Sequence, residues 1–162
     1  MNPGTYNKNE PLISQNENMN IFFDVDYTIL GIDDTLRPGT KETFRRIIQD
    51  GHRIHIWSGL GQRWEVIKQH SLQEFASGVY EKPLHDFEER LEELGIPMAP
   101  DLVIDDYPEV VSAFGGIWVP PYYFKRIKDD QMERVYQIIQ DVDRKGYSKD
   151  NQYFQKGDQV SL

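Results

Sequence analysis

The sequence predicts an α/β domain, a parallel sheet with helices packed on both faces in three layers. Three observations predict it. Apolar runs at 21–25, 54–57, 102–104 and 116–119 are short and largely continuous, as expected of strands buried on both sides. Amphipathic stretches of helical period lie between them. Polar residues then close the first three runs: Asp24, Ser58 and the pair Asp105-Asp106. In parallel sheets with helical crossovers, ligands bind at those carboxyl ends.

Each element has a local justification. Residues 1–19 are rich in Asn and polar, and read as a flexible arm. The first strand starts at Asn20 and runs into DVDYT, followed by the turn-rich GIDDTLRPGT. TKETFRRIIQDG predicts a helix, with Phe44, Ile47 and Ile48 on one face and Gly51 at its end. RIHIW (53–57) is the second strand and leads to Ser58-Gly59. A second helix is expected over roughly 62–75. A third should start at Pro83, with Leu84, Phe87, Leu91 and Leu94 as its stripe and Gly95-Ile96-Pro97 as its stop. Strands at 102–104 and 116–119 follow, then a helix over about 128–141. The expected domain is therefore 20–141, Rossmann-like, with 142–162 as a polar tail.

Composition narrows the functions open to such a fold. The 162 residues suffice for one domain with a real core, and 38% are hydrophobic. No apolar run approaches the roughly 20 residues that cross a bilayer, so no membrane partner is expected. The N-terminal stretch lacks the basic-then-apolar order of a signal peptide. With no cysteine there is neither a disulfide framework nor a thiolate metal site, which fits a cytoplasmic chain. The net charge of −9 argues against nucleic acid as a partner, whereas a carboxylate cluster would attract a divalent cation.

The residues at the strand ends suggest a chemistry. Residues two apart on a strand face the same side, so Asp24 and Asp26 can share a site. Asp105 adds a third carboxylate and Asp106 a fourth, and such a group repels itself unless a cation or proton sits within it. Hard oxygen donors of this kind suit Mg²⁺, which keeps several waters and takes a substrate phosphate oxygen. Asp24 can then act as a nucleophile that accepts a phosphoryl group. Asp26 can serve as acid and base. Ser58 and the backbone N–H at Gly59 can hold phosphoryl oxygens, and a lysine would balance the charge of the transition state.

DVDYT (24–28), IHIWSG (54–59), YEKP with Lys82, and LVIDD (102–106) occur in that order. Together they resemble the four motifs of the haloacid-dehalogenase-like (HAD) superfamily. The resemblance covers roughly residues 20–120 and implies roles position by position. Asp24 would be the phosphate-accepting nucleophile and, with Asp105, a Mg²⁺ ligand. Asp26 would bind the metal through its carbonyl and work as acid and base through its side chain. Ser58 and Lys82 would hold the transferring phosphoryl group, and Asp106 would bind the metal or orient its waters. An Asp at 26 favours phosphoryl transfer, because the superfamily's dehalogenases lack it. One departure is visible: many members have Gly where this chain has Tyr27.

The intervals from Thr28 to the first helix and from Ser58 to Lys82 are too short to bury cores of their own. No cap domain is therefore expected, and by the resemblance capless members act on macromolecules or close their sites by oligomerising. The expected function is a Mg²⁺-dependent phosphatase with an aspartyl-phosphate intermediate and a phosphorylated substrate of undefined class. Two alternatives stand beside it. One is a HAD-like module that binds a phosphorylated ligand or partner without turnover. The other is a receiver-type signalling domain, which would need its accepting Asp at the middle-strand position that Ser58 holds.

Simpler roles are also open to individual residues. Ser58 can be an N-cap, Lys82 a surface lysine, and Asp106 a cap for the turn into Tyr107-Pro108. Asp33 and Asp34 read as a solvated turn, and His55 as packed or hydrogen-bonded. Arg63 and Trp64 follow the second motif closely enough to face substrate. The acidic run FEERLEELG reads as a wet helix face, and the 120–124 segment as packing at the sheet edge.

Overall fold

The computed structural model describes residues 18–162. The expected arm lies outside the described residues except for its last two. Of these, Met19 is buried, donates its N–H to His52 Nδ1 and accepts from Arg53 N–H through its carbonyl. The strands are β1 (Asn20–Asp24), β2 (Arg53–Ser58), β3 (Ala76–Glu81), β4 (Leu102–Asp105), β5 (Gly116–Trp118) and β6 (Tyr153–Phe154). The helices are α1 (Thr40–Gln49), α2 (Trp64–Gln69), α3 (Pro108–Phe114) and α4 (Gln131–Lys145). One six-stranded sheet results, in the order β3-β2-β1-β4-β5-β6. All neighbours pair parallel except β5 and β6.

Alternation along each strand supplies both faces of the sheet. Ile21, Phe23, Ile54, Ile56, Leu102 and Ile104 point to one side, where they meet Phe44 and Ile47 of α1, Ile67 of α2 and Val135 and Ile139 of α4. Phe22, Trp57 and Val103 point to the other, against Val110, Val111 and Phe114 of α3 and against Leu91 and Ile96. The sheet is thus the middle of three layers, as continuous apolar strands require. Among the described residues no second domain is inserted after β1 or after β2.

Four expectations are corrected. The helix over 62–75 is only α2, and 76–81, for which no element was expected, is the edge strand β3. Residues 83–95 form successive turns rather than a helix. Single closures such as Arg90 N–H to Asp86 O and Leu91 N–H to Glu88 O replace a continuous ladder, and Asp86 has φ 46°. Its stripe still packs, since Leu91 is buried and Phe87 and Leu94 lie against the same cluster, while Glu88, Glu89, Glu92 and Glu93 are exposed. Helix α3, with Pro108 in its first turn, lies in a stretch for which no element was expected. Finally, 142–162 is not simply a polar tail. Helix α4 continues to Lys145, and β6 closes the sheet edge, helped by Gln152 Nε2, which donates to Trp118 O (2.8 Å) and Gln131 Oε1 (3.0 Å).

Strand order positions the site. Successive strands run outward from β1 through β2 and β3 on one side and through β4 and β5 on the other. The gap beyond the carboxyl ends of β1 and β4 is therefore the topological switch point, where this architecture binds ligands.

Candidate functional site

Register brings the polar strand ends together. Phe23 pairs with Ile104, so Asp24 and Asp105 follow as neighbours at the switch point. Asp24 pairs with Trp57, placing Ser58 one step beyond, and Ser58 pairs with Glu81, placing Lys82 one step beyond that. Strands distant in sequence thus deliver Asp24, Ser58, Lys82 and Asp105 to one edge.

Lys82 is the hub. Its ammonium donates to Asp24 Oδ1 (3.0 Å) and to Asp105 Oδ2 (2.9 Å), and all three residues are buried. Thr28 Oγ1 donates to Asp24 Oδ2 (3.0 Å), lies 3.3 Å from Asp106 Oδ1, and accepts the Asp106 N–H (3.2 Å). Asp105 Oδ1 accepts the Tyr107 N–H (2.9 Å). Ser58 Oγ accepts the Leu60 N–H (3.1 Å), and its own hydroxyl proton is free to turn to another acceptor.

The electrostatics follow from three acids sharing one base. Burial pulls the Lys82 ammonium down, but Asp105 and Asp24 together outweigh it and hold the group above the ordinary lysine range. Burial, then the charge of Asp24, push the Asp105 carboxyl well above its ordinary value. The same two causes push Asp106 up to about 6. The cluster therefore carries more negative charge than Lys82 offsets, which favours uptake of a proton or a cation.

Carboxylate oxygens of Asp24, Asp105 and Asp106 lie within 4.8 Å of one another and can hold a metal ion. This hard, all-oxygen donor set fits a small divalent cation such as Mg²⁺.

A cleft of about 480 Å³ opens above the cluster. Asp24, Asp26, Ser58, Gly59, Lys82 and Asp106 line it, together with Tyr27, Leu60, Leu84 and Tyr107. Asp105 lies beneath it with 0% exposure. Asp26 arrives by a different route from the one its spacing suggests. Strand β1 stops at Asp24, so the loop rather than strand alternation carries Asp26 to the cleft. Its carboxylate stands apart from the three-carboxylate group and pairs with the Arg63 guanidinium, which also bonds Glu65 (2.5 Å).

Tyr27 has φ 66°, a left-handed conformation in which glycine is unstrained and a bulky ring is not. The backbone holds Tyr27 there through its N–H to Leu30 O and through the Tyr122 N–H to its carbonyl, both 2.8 Å.

One supporting residue had no signal in the sequence. Arg37 is buried and bonds Asp129 Oδ1 (3.0 Å), Thr28 O (3.1 Å) and Pro120 O (2.9 Å), tying the 25–37 loop to the segment after β5. A lone Arg before Pro-Gly reads as a turn residue, and nothing in its spacing announces a buried role. His55 is packed as expected: its ring stacks on Phe22 at 4.5 Å, with Nε2 2.9 Å from Asn20 Oδ1. Asp33 is exposed in its turn, capped by Thr35 and by the Lys125 N–H. In the 120–124 segment Tyr122 is buried, whereas Tyr123 and Phe124 are exposed. Among the described residues no helix is long and apolar enough to cross a membrane.

The fold and site define an α/β protein with a mostly parallel six-stranded sheet and an acidic, lysine-bridged cluster at its switch point. Comparison with protein-family models, curated proteins and solved structures returns no match.

Proposed function

We propose that this protein is a Mg²⁺-dependent phosphatase of HAD-like type that hydrolyses phosphomonoesters through an aspartyl-phosphate on Asp24. The observation that carries the proposal is the bridge from Lys82 Nζ to both Asp24 and Asp105 at the floor of an open cleft. A buried nucleophilic carboxylate beside a fixed cation is what attack on an anionic phosphoryl group requires.

Asp24, Asp105 and Asp106 would hold the metal, which when bound offsets the charge of the phosphoryl oxygens and of the carboxylates around them. The remaining steps belong to the chain. Asp24 attacks phosphorus, and the P–O bond to the leaving group breaks as the Asp24–phosphorus bond forms. Asp26, on the cleft wall, enters this step protonated and gives that proton to the departing oxygen. Then a carboxylate, it takes one from the water that attacks phosphorus as the Asp24–phosphorus bond breaks and phosphate leaves. Arg63 pairs with the ionised form of Asp26, so that pair opens when Asp26 carries the proton. Lys82 and the Ser58 hydroxyl hold the transferring oxygens.

Phosphate release from a generic aryl phosphate, measured with Mg²⁺ and with excess chelator for wild type and Asp24→Asn, tests the proposal. Release that needs both the metal and Asp24 is expected. Full Mg²⁺-dependent release by Asp24→Asn would overturn the mechanism. Binding of Mg²⁺ and a phosphate analogue without turnover would instead favour a module that holds a phosphorylated partner.

A further inference from the structure

We propose, building on the phosphatase reading, that the cleft selects phosphomonoesters whose leaving group carries an aromatic ring seated on Tyr27. The polar floor and the mouth of the cleft differ sharply. The floor is Asp24, Ser58, Lys82 and Asp106, whereas the mouth is Tyr27, Leu60, Leu84 and Tyr107. All four mouth residues are exposed, Tyr27 at 38%, Tyr107 at 52%, Leu84 at 58% and Leu60 at 78%. A group joined to a phosphoryl on the floor must leave through this apolar rim.

Charge argues the same way. Lys82 is the only cation among the residues lining the cleft, and it is committed to Asp24 and Asp105. Arg63, the nearest guanidinium described at the site, is occupied by Asp26 and Glu65. The lining thus offers no free cation for a second phosphate or a carboxylate on the leaving group. Of the hydrogen-bonding side chains in the lining, Asp24, Ser58, Lys82 and Asp106 belong to the floor, which leaves Asp26 and the phenols of Tyr27 and Tyr107 to meet a leaving group.

Tyr27 supplies an independent observation. Its ring stands on a backbone at φ 66°, a conformation that disfavours any side chain of this bulk. Two backbone hydrogen bonds hold the strain, and an edge-on contact with Tyr123 at 5.3 Å fixes the ring's direction. Gly59, also in the lining, leaves room for Leu84, whose Cδ2 would lie 2.6 Å from a Cβ at residue 59. A tyrosine ring held this way favours a planar, polarisable partner by stacking, and the neighbouring Leu84 adds apolar surface.

The test compares 2-phenylethyl phosphate, butyl phosphate and glucose 6-phosphate, whose leaving alcohols are of similar basicity, so that reactivity does not mask binding. A KM for the phenylethyl ester about ten-fold below those of the other two is expected. Tyr27→Gly should reduce that ratio to within about two-fold of unity. This variant relaxes the backbone, and a Tm and circular dichroism spectrum matching wild type separate a lost preference from misfolding. Equal KM values in wild type, or a ratio unchanged in Tyr27→Gly, would overturn the inference. The same comparison by calorimetry with 2-phenylethylphosphonate and butylphosphonate separates it from the phosphatase reading. Tighter binding of the aromatic phosphonate without turnover of any ester would support the cleft's selectivity while the hydrolytic reading failed. Equal binding would overturn the selectivity.

Discussion

Lys82 stands between two buried carboxylates that would otherwise repel each other across the end of the sheet. Removing one partner of such a buried group leaves uncompensated charge, which costs on the order of 3 kcal/mol. Lys82→Met is therefore expected to lower stability by about that amount in chelator. Mg²⁺ should restore more of its Tm than it adds to wild type, because the metal supplies the missing positive charge. No Mg²⁺ shift in either protein would count against a cation site among Asp24, Asp105 and Asp106. His55 makes the second prediction at this scale. Burial, with help from Arg53, pulls its pKa from 6.5 down to about 4. The ring is thus neutral in the fold and takes up protons more readily when unfolded. Its contribution is full above pH 6.5 and is lost as pH falls toward 4. Solvent screening limits the loss to about 2 kcal/mol or less. Denaturant titrations of wild type and His55→Phe should diverge over that window and run parallel above it. Parallel curves throughout would refute the assignment.

At the scale of elements, legibility followed how strongly each segment's own residues commit it. Strands β1, β2 and β4 are nearly unbroken apolar runs closed by polar residues, and the sheet holds all three where expected. Strand β3 reads ASGVYE, with only Val79 and Tyr80 as good strand formers and one buried side chain, and it is a strand because β2 pairs with it. The 83–95 segment shows the converse. Its stripe has helical spacing and is used for packing, yet the backbone breaks into turns at Asp86. Strand β5 depends on Gly116, where a Cβ would stand 2.0 Å from Val103 O of the neighbouring strand. Because that obstacle is backbone, Gly116→Ala should destabilise by roughly 3 kcal/mol or more in chemical denaturation. A loss below about 1 kcal/mol would show that β4 and β5 can separate locally at little cost.

At the scale of the whole molecule, the site exists because a crossover order places β1 between β2 and β4. The residues that form it were legible because they are the polar residues that close apolar strands, and the strand register brings them together. The supports were not, because burial and pairing of Arg37 depend on contacts with Thr28, Pro120 and Asp129 that only the assembled fold creates. Arg37→Met should cost about 3 kcal/mol by stranding Asp129, and should lower kcat as well by loosening the loop that carries Asp26 and Thr28. Wild-type stability in this variant would show that the tie is dispensable.

The central proposal concerns one atom of one residue, the Asp24 carboxylate oxygen that takes the phosphoryl group. The direct measurement is acid quenching of a Mg²⁺-activated reaction within a single turnover, followed by peptide mass spectrometry. A phosphoryl group on residue 24, absent in chelator, is the expected result. Substrate turnover with the label on another residue, or with no covalent phosphoryl-enzyme at any quench time, would contradict it.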